Sequence, residues 1–122
     1  MSDTRLGWGI VHGMVCAVPC WFAFIFSVPP STFESNPNAY AVMASIMSEH
    51  AWAVCSGVVG ALGIASWFIN SVHIWRLVSL LLSAWHCCVA LSILQANSAG
   101  TGSGTYAIIA VGATAKMLRR FP

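Results

Sequence analysis

The sequence predicts an all-α fold, a bundle of four transmembrane helices that forms a single membrane domain over residues 1–122. Three observations predict it: 58% of the residues are hydrophobic, only 7% are charged, and the mean hydropathy is +0.80. A soluble domain averages roughly a quarter charged residues, and a disordered chain has low hydrophobicity. Five Lys and Arg residues are too few for the basic face of a nucleic-acid-binding protein. We therefore expect the lipid bilayer to be the solvent and exclude a nucleic-acid partner.

Four apolar segments supply the predicted membrane spans, because a helix needs about 20 apolar residues to cross the hydrocarbon layer. The first is uncharged and stops at Pro29 and Pro30, which do not continue a helix. The second is also uncharged, and the third carries only Arg76, whose long side chain reaches the headgroups from the first turn. The fourth is short, about 21 Å long, and thinning of the bilayer would accommodate it. The spans cover, in order, residues 6–28, 51–69, 74–94 and 105–118.

The longest loop, residues 29–50, lies between the first two spans. Its first half is rich in proline and asparagine and reads as turns. In its second half Tyr40, Met43, Ile46 and Met47 share one face of a helix. This pattern predicts a short interfacial helix that caps the bundle. A partner-binding or pore-lining cap is the alternative.

All basic residues fall on one side of the membrane when the chain crosses it four times. Loops on the cytoplasmic side carry an excess of Lys and Arg, so both termini are expected in the cytoplasm. The opposite side receives Glu34, Glu49 and His50. Near the headgroups the basic residues would favour anionic lipids. These basic residues are Arg5, Arg76, Lys116, Arg119 and Arg120.

Small residues recur along the spans, mostly at intervals of four. In lipid, helices associate through close backbone approach, and small residues permit that approach. One interpretation is that these residues pack the monomer, and the alternative is that they contact other copies in an oligomer. Pro19 predicts a kink in the first span, which serves either packing or a gating hinge. The small residues are Gly9, Gly13 and Ala17 in the first span, Ala53, Gly57, Gly60, Ala61 and Ala65 in the second, and Ser79 and Ser83 in the third.

Ionisable side chains inside the spans are the first place to look for function in a membrane protein. The spans contain His12 and His86 but no Asp or Glu, which excludes an exporter that exchanges protons on an intramembrane carboxylate. The two histidines are candidate axial haem ligands, and the alternative is that each hydrogen-bonds a neighbouring helix. The sequence has no Cys-x-x-Cys pair and no nucleophile elbow. We therefore expect no metal site, no resident cofactor other than that candidate haem, and no enzymatic activity.

The chain combines an apolar N-terminal span, a proline-rich turn, a helix with Glu-His-Ala-Trp at 49–52, a glycine-rich span, and the run 99–107 before a short last span. This order resembles small integral membrane proteins encoded by tailed phages and prophages. The resemblance implies a bacterial inner-membrane or virion-associated location and self-association or a larger assembly. It further implies a holin-like lysis protein, a superinfection-exclusion protein or a virion component. The alternatives are an accessory or haem-anchoring subunit of a membrane electron-transfer complex, and a small channel or transporter subunit.

Overall fold

The computed structural model describes residues 3–69, 71–96, 107–112 and 114–115, and within them every regular element is a helix. The expected all-α fold class is therefore confirmed for this part of the chain. Two of the helices are long and apolar enough to cross a membrane, and the apolar run Gly9–Ile25 is shorter. The helices are α1 (Asp3–Ile25), α2 (Thr32–Ser35), α3 (Pro37–Ile46), α4 (Glu49–Phe68) and α5 (Val72–Ala96), followed by a C-terminal helical segment at 107–112 and 114–115.

Helix α1 continues through Pro19 and ends at Ile25, before the end of the predicted first span. Its last turn is closed by the amide of Phe26, which donates to the Phe22 carbonyl at 3.0 Å. The hydroxyl of Ser27 donates to the Ala23 carbonyl at 2.6 Å. These bonds satisfy carbonyls that the helix itself leaves without partners at its C-terminal end.

The loop between α1 and α4 folds into α2 and α3, which pack against the end of the bundle. Helix α3 starts with Pro37 in its first turn, where proline is tolerated because that amide has no helical partner. Met43 is fully buried, and its carbonyl accepts a hydrogen bond from Nε1 of Trp52 at 2.9 Å. Tyr40 and Met47 pack against the same core. The sequence also placed Ile46 on this face, but the structure exposes 55% of it.

Helices α1 and α4 pack antiparallel at close range. In the contacting pairs the residue number on α1 increases as that on α4 decreases. A Cβ atom added at Gly60 would lie 2.6 Å from Cys20 Sγ and 3.2 Å from the Cys20 backbone nitrogen. A Cβ atom at Gly63 would lie 2.6 Å from Cys16 Sγ. Only glycine permits such an approach without displacement of the neighbouring helix.

Helices α1 and α5 run parallel and touch through aromatic side chains. His12 stacks on Trp75 with ring centroids 5.1 Å apart, and Phe22 meets Trp85 edge-on at 5.3 Å. The second pair lies ten residues beyond the first on both helices, which fixes the register between them. Two apolar clusters fill the space between the helices, one around Trp52, Trp85 and Phe22 and one around Cys16 and Leu82.

Candidate functional site

His12 is buried where α1, α4 and α5 meet. Its Nε2–H donates to the Gly63 carbonyl at 2.9 Å, and Cys16 Sγ lies 3.6 Å from the same nitrogen. The ring lies 5.0 Å from the Trp67 ring and 5.1 Å from the Trp75 ring. One hydrogen bond to α4 and a stacked ring on α5 therefore hold three helices together at this point. The sequence predicted either haem ligation or a hydrogen bond to a neighbouring helix for His12, and the structure contains such a hydrogen bond, to Gly63 on α4.

His86 is fully buried on α5. Its Nδ1–H donates to the Leu82 carbonyl at 2.7 Å, one turn earlier on the same helix. The edge of its ring meets Trp85 at 5.0 Å. Nε2 has no hydrogen-bond partner among the residues that the structure describes. Because Nδ1 carries the proton in the neutral ring, Nε2 presents a lone pair to the interior of the bundle.

The structure does not bring His12 and His86 together. His12 is level with Trp75, and His86 is eleven residues further along α5, a separation of about 16 Å along the axis. Two axial haem ligands bind one iron and must lie at similar depth. The register that places the two histidines at different depths is set by the contact of His12 with Trp75. Within the described ranges no group of three or more His, Cys, Asp or Glu side chains could hold a metal ion.

A row of polar side chains follows the face of α5 on which His86 lies. Ser79 and Ser83 are buried on it, spaced so that Ser79, Ser83 and His86 occupy positions i, i+4 and i+7. Ser83 Oγ lies 2.6 Å from Thr114 Oγ1 and 3.5 Å from the Ala110 carbonyl, both on the C-terminal helical segment. We call Ser79, Ser83, His86 and Thr114 the α5 seam. The seam joins α5 to the C-terminal segment through hydroxyl groups.

Glu49 ties the loop to the start of α4, just before the predicted second span. Its carboxylate accepts hydrogen bonds from the Ser31 hydroxyl, from the Thr32 amide at 2.7 Å and from the Phe33 amide at 3.3 Å. Partial burial alone raises the pKa of Glu49, but these hydrogen bonds favour the charged form more strongly, so its pKa lies below the ordinary value. Burial and then the charge of Glu49 raise the pKa of Tyr40.

The small residues predicted to pack helices divide into two groups. Helix α4 contacts α1 through Gly57, Gly60 and Gly63, which are three residues apart, rather than through an unbroken row of small residues at intervals of four. The stripe in α1 is also split, since Gly9 lies against Trp67 whereas a Cβ atom at Gly13 would meet nothing within 4 Å. Buried or half-buried are Gly9, Ala53, Gly57, Gly60, Ser79 and Ser83, and exposed are Gly13, Ala17, Ala61 and Ala65.

The remaining predicted residues are the proline of the first span and the basic residues, most of which lie outside the described side chains. Pro19 is buried inside a continuous α1, and Arg76 is exposed near the start of α5. The side chain of Arg5 and all of Lys116, Arg119 and Arg120 lie outside the described residues. Gly63, which with Gly60 lies beside the row of small residues in the second span, is a packing residue as well, against Cys16.

Comparison with known proteins adds no relative, since no family model, no curated protein and no solved structure matches the chain.

Proposed function

We propose that this chain is an integral membrane protein without catalytic activity that acts by association of helices in the bilayer. The observation that carries the proposal is the distribution of side chains around α4. The exposed side of α4 is more apolar than its buried side, the reverse of a helix in a soluble core. Buried are Trp52, Ala53, Ser56, Gly60, Gly63 and Ser66, and exposed are Val54, Val58, Leu62, Ile64, Trp67 and Phe68.

Two further observations support a bilayer around the bundle. In the apolar 18-residue stretch of each long helix, the protein itself buries only 33% in α4 and 44% in α5. Exposed apolar patches larger than a few hundred Å² are rare on soluble monomers. A lipid environment covers these faces, and the four-span arrangement with both termini in the cytoplasm remains the topology that we propose from the basic residues.

The test is membrane insertion of the full chain expressed in bacterial cells. We expect it in the inner-membrane fraction, resistant to extraction at alkaline pH and high salt and released by detergent. A reporter fused after residue 122 should be active only as a cytoplasmic reporter. A chain that stays monodisperse in buffer without detergent would contradict the proposal, and a periplasmic C-terminus would contradict the topology.

The resemblance to phage-encoded membrane proteins supplies three candidate roles that the same expression experiment separates. A holin-like protein would collapse the membrane potential abruptly once enough copies have accumulated. A superinfection-exclusion protein would leave the potential intact and block entry of phage DNA into viable cells. A virion component would neither collapse the potential nor block DNA entry, and it would be recovered with the phage particle. We propose the holin-like role, because accumulation through association of helices is the mechanism that this bundle is suited to.

A further inference from the structure

The α5 seam contains polar atoms that are buried inside the bundle without hydrogen-bond partners among the described residues. His86 and Ser79 are both fully buried, and neither His86 Nε2 nor Ser79 Oγ has a hydrogen-bond partner within the described part of the chain. A buried polar group without a hydrogen bond destabilises the folded protein, and alanine or valine at either position would avoid that loss. Both side chains are fully buried, so they do not reach lipid headgroups. Two such atoms on one helix face indicate a site for a ligand.

The hydrogen bonding of His86 determines the chemistry of that ligand. Because Nδ1–H is engaged by the Leu82 carbonyl at 2.7 Å, Nε2 of the neutral ring accepts a hydrogen bond. The ligand must therefore donate a hydrogen bond, which excludes carbonyl and carboxylate groups. A cation is disfavoured because the long helices carry Asp and Glu only at the N-terminal ends of α1 and α4, and residues 6–25, 51–68 and 72–96 contain none to balance it. Water is the small neutral donor that meets these conditions.

The spacing along α5 fits water as well. Ser79 and Ser83 are separated by about 6 Å of helix rise, and Ser83 and His86 by about 4.5 Å. One water molecule with two hydrogen bonds of about 2.8 Å bridges a gap of that size. Ser83 lies between the two gaps, and its contact with Thr114 Oγ1 at 2.6 Å fixes its hydroxyl in the seam.

We propose that the α5 seam binds a short chain of water molecules, running from Ser79 past Ser83 to Nε2 of His86. The inference rests on the proposed membrane location, because lipid around the bundle keeps bulk water away from α5, so that water at His86 belongs to the seam. The chain of water molecules begins one turn from Trp75 and Arg76, at the end of α5 that we place near the cytoplasmic headgroups. It brings exchangeable protons to the buried His86 ring. It also provides polar bridges between α5 and the C-terminal segment.

The test measures magnetisation transfer from water to side chains by solid-state NMR on the isotopically labelled full chain in phospholipid bilayers. We expect transfer to the His86 ring to build up rapidly, while the buried neighbours Leu82 and Val89 stay dry. Ser83→Ala should abolish the transfer to His86, and Ser83→Thr, which keeps the hydroxyl, should retain it. Ser66→Ala is the matched control, because Ser66 is also a buried serine, and its hydroxyl donates to the Gly63 carbonyl at 2.7 Å.

A His86 ring as dry as Leu82 in the wild-type protein would overturn the water site, as would transfer that persists unchanged in Ser83→Ala. Neither result would affect the proposed membrane location, which is established beforehand on the same sample by its resistance to alkaline extraction. Conversely, a chain that is not retained in the bilayer would overturn the proposed function and with it the site. The wild-type measurement alone decides the proposal if the Ser83→Ala variant fails to fold.

Discussion

At the scale of single residues, identical residue types have opposite environments in this bundle. Gly60 lies against the backbone and thiol of Cys20, whereas a Cβ atom at Gly13 would meet nothing within 4 Å. Glycine in a helix interior costs roughly 1 kcal/mol relative to alanine. That cost is offset at Gly60 by the close approach of α1, and it has no such compensation within the monomer at Gly13.

This contrast predicts the outcome of a pair of alanine substitutions. Gly60→Ala places a Cβ atom 2.6 Å from Cys20 Sγ and 3.2 Å from a backbone nitrogen, so α1 must shift. Such overpacking costs about 1–3 kcal/mol, and improved helix propensity recovers about 1 kcal/mol of it. We expect a net loss of about 1 kcal/mol in the free energy of unfolding, measured by denaturation in detergent micelles. Gly13→Ala, the control, should be neutral or stabilising, and equal effects at the two positions would refute this packing.

At the scale of elements, the first helix of the loop, α2, is held by a carboxylate of the next long helix. Helix α2 has only four residues, too few to be stable alone. Glu49 on α4 accepts hydrogen bonds from two amides in its first turn, and Ser31 caps it by accepting from the Glu34 amide at 3.4 Å. The conformation of the loop therefore depends on the charge of a residue in the next long helix.

We accordingly predict that acid loosens the loop while the long helices remain intact. The pKa of Glu49 is lowered on folding, so its stabilisation is complete above the ordinary glutamate pKa of about 4.3 and is lost as the pH falls from there through the lowered value. Glu49→Gln should loosen α2 by about 1 kcal/mol at neutral pH and remove most of the acid dependence. The measurement is hydrogen exchange at the amides of Thr32 and Phe33, with each rate expressed relative to that of an unprotected amide at the same pH.

The exposed Glu34, also on the loop, provides the matched control for this prediction. Glu34→Gln changes the net charge equally but leaves the hydrogen bonds to Glu49 in place. It should keep both the protection of these amides at neutral pH and the loss of that protection in acid. Loss of protection in acid that survives unchanged in Glu49→Gln would show that another group controls the loop.

The sequence predicted the elements better than the contacts between them. Long uncharged runs bounded by Pro29, Asn70 and other breakers define where helices lie, because those signals are local. The register of α1 against α5 is set by bulky rings, His12 on Trp75 and Phe22 on Trp85, and no local pattern contains it. The glycines of α4 that contact α1 lie opposite the thiols of Cys16 and Cys20, and these glycines are three residues apart. A row of small residues at intervals of four therefore identified only part of the interface.

At the scale of the whole molecule, buried polar side chains accompany the apolar clusters of the core, and the exterior of the long helices is apolar. Buried serines and histidines lie between helices, while large apolar side chains cover the outside of α1, α4 and α5. Among those large side chains the outer face of α1 also carries small residues, Gly13 and Ala17, both exposed. In lipid, a small-residue surface permits another helix to approach closely. A second copy of the chain is the occupant that the proposed function requires.

Gly13→Leu tests this association without disturbing the monomer, because there is open space around position 13. The leucine side chain would hold a neighbouring helix away from the backbone of α1. We expect a dissociation constant raised about tenfold, equivalent to about 1.4 kcal/mol, measured by energy transfer between labelled copies in bilayers. Met14→Leu is the control, because Met14 is a large side chain already 64% exposed on the same helix. Gly57→Leu is unsuitable, since a side chain there would meet Ala23 within the monomer. Association that is unchanged in Gly13→Leu would assign self-assembly to another face.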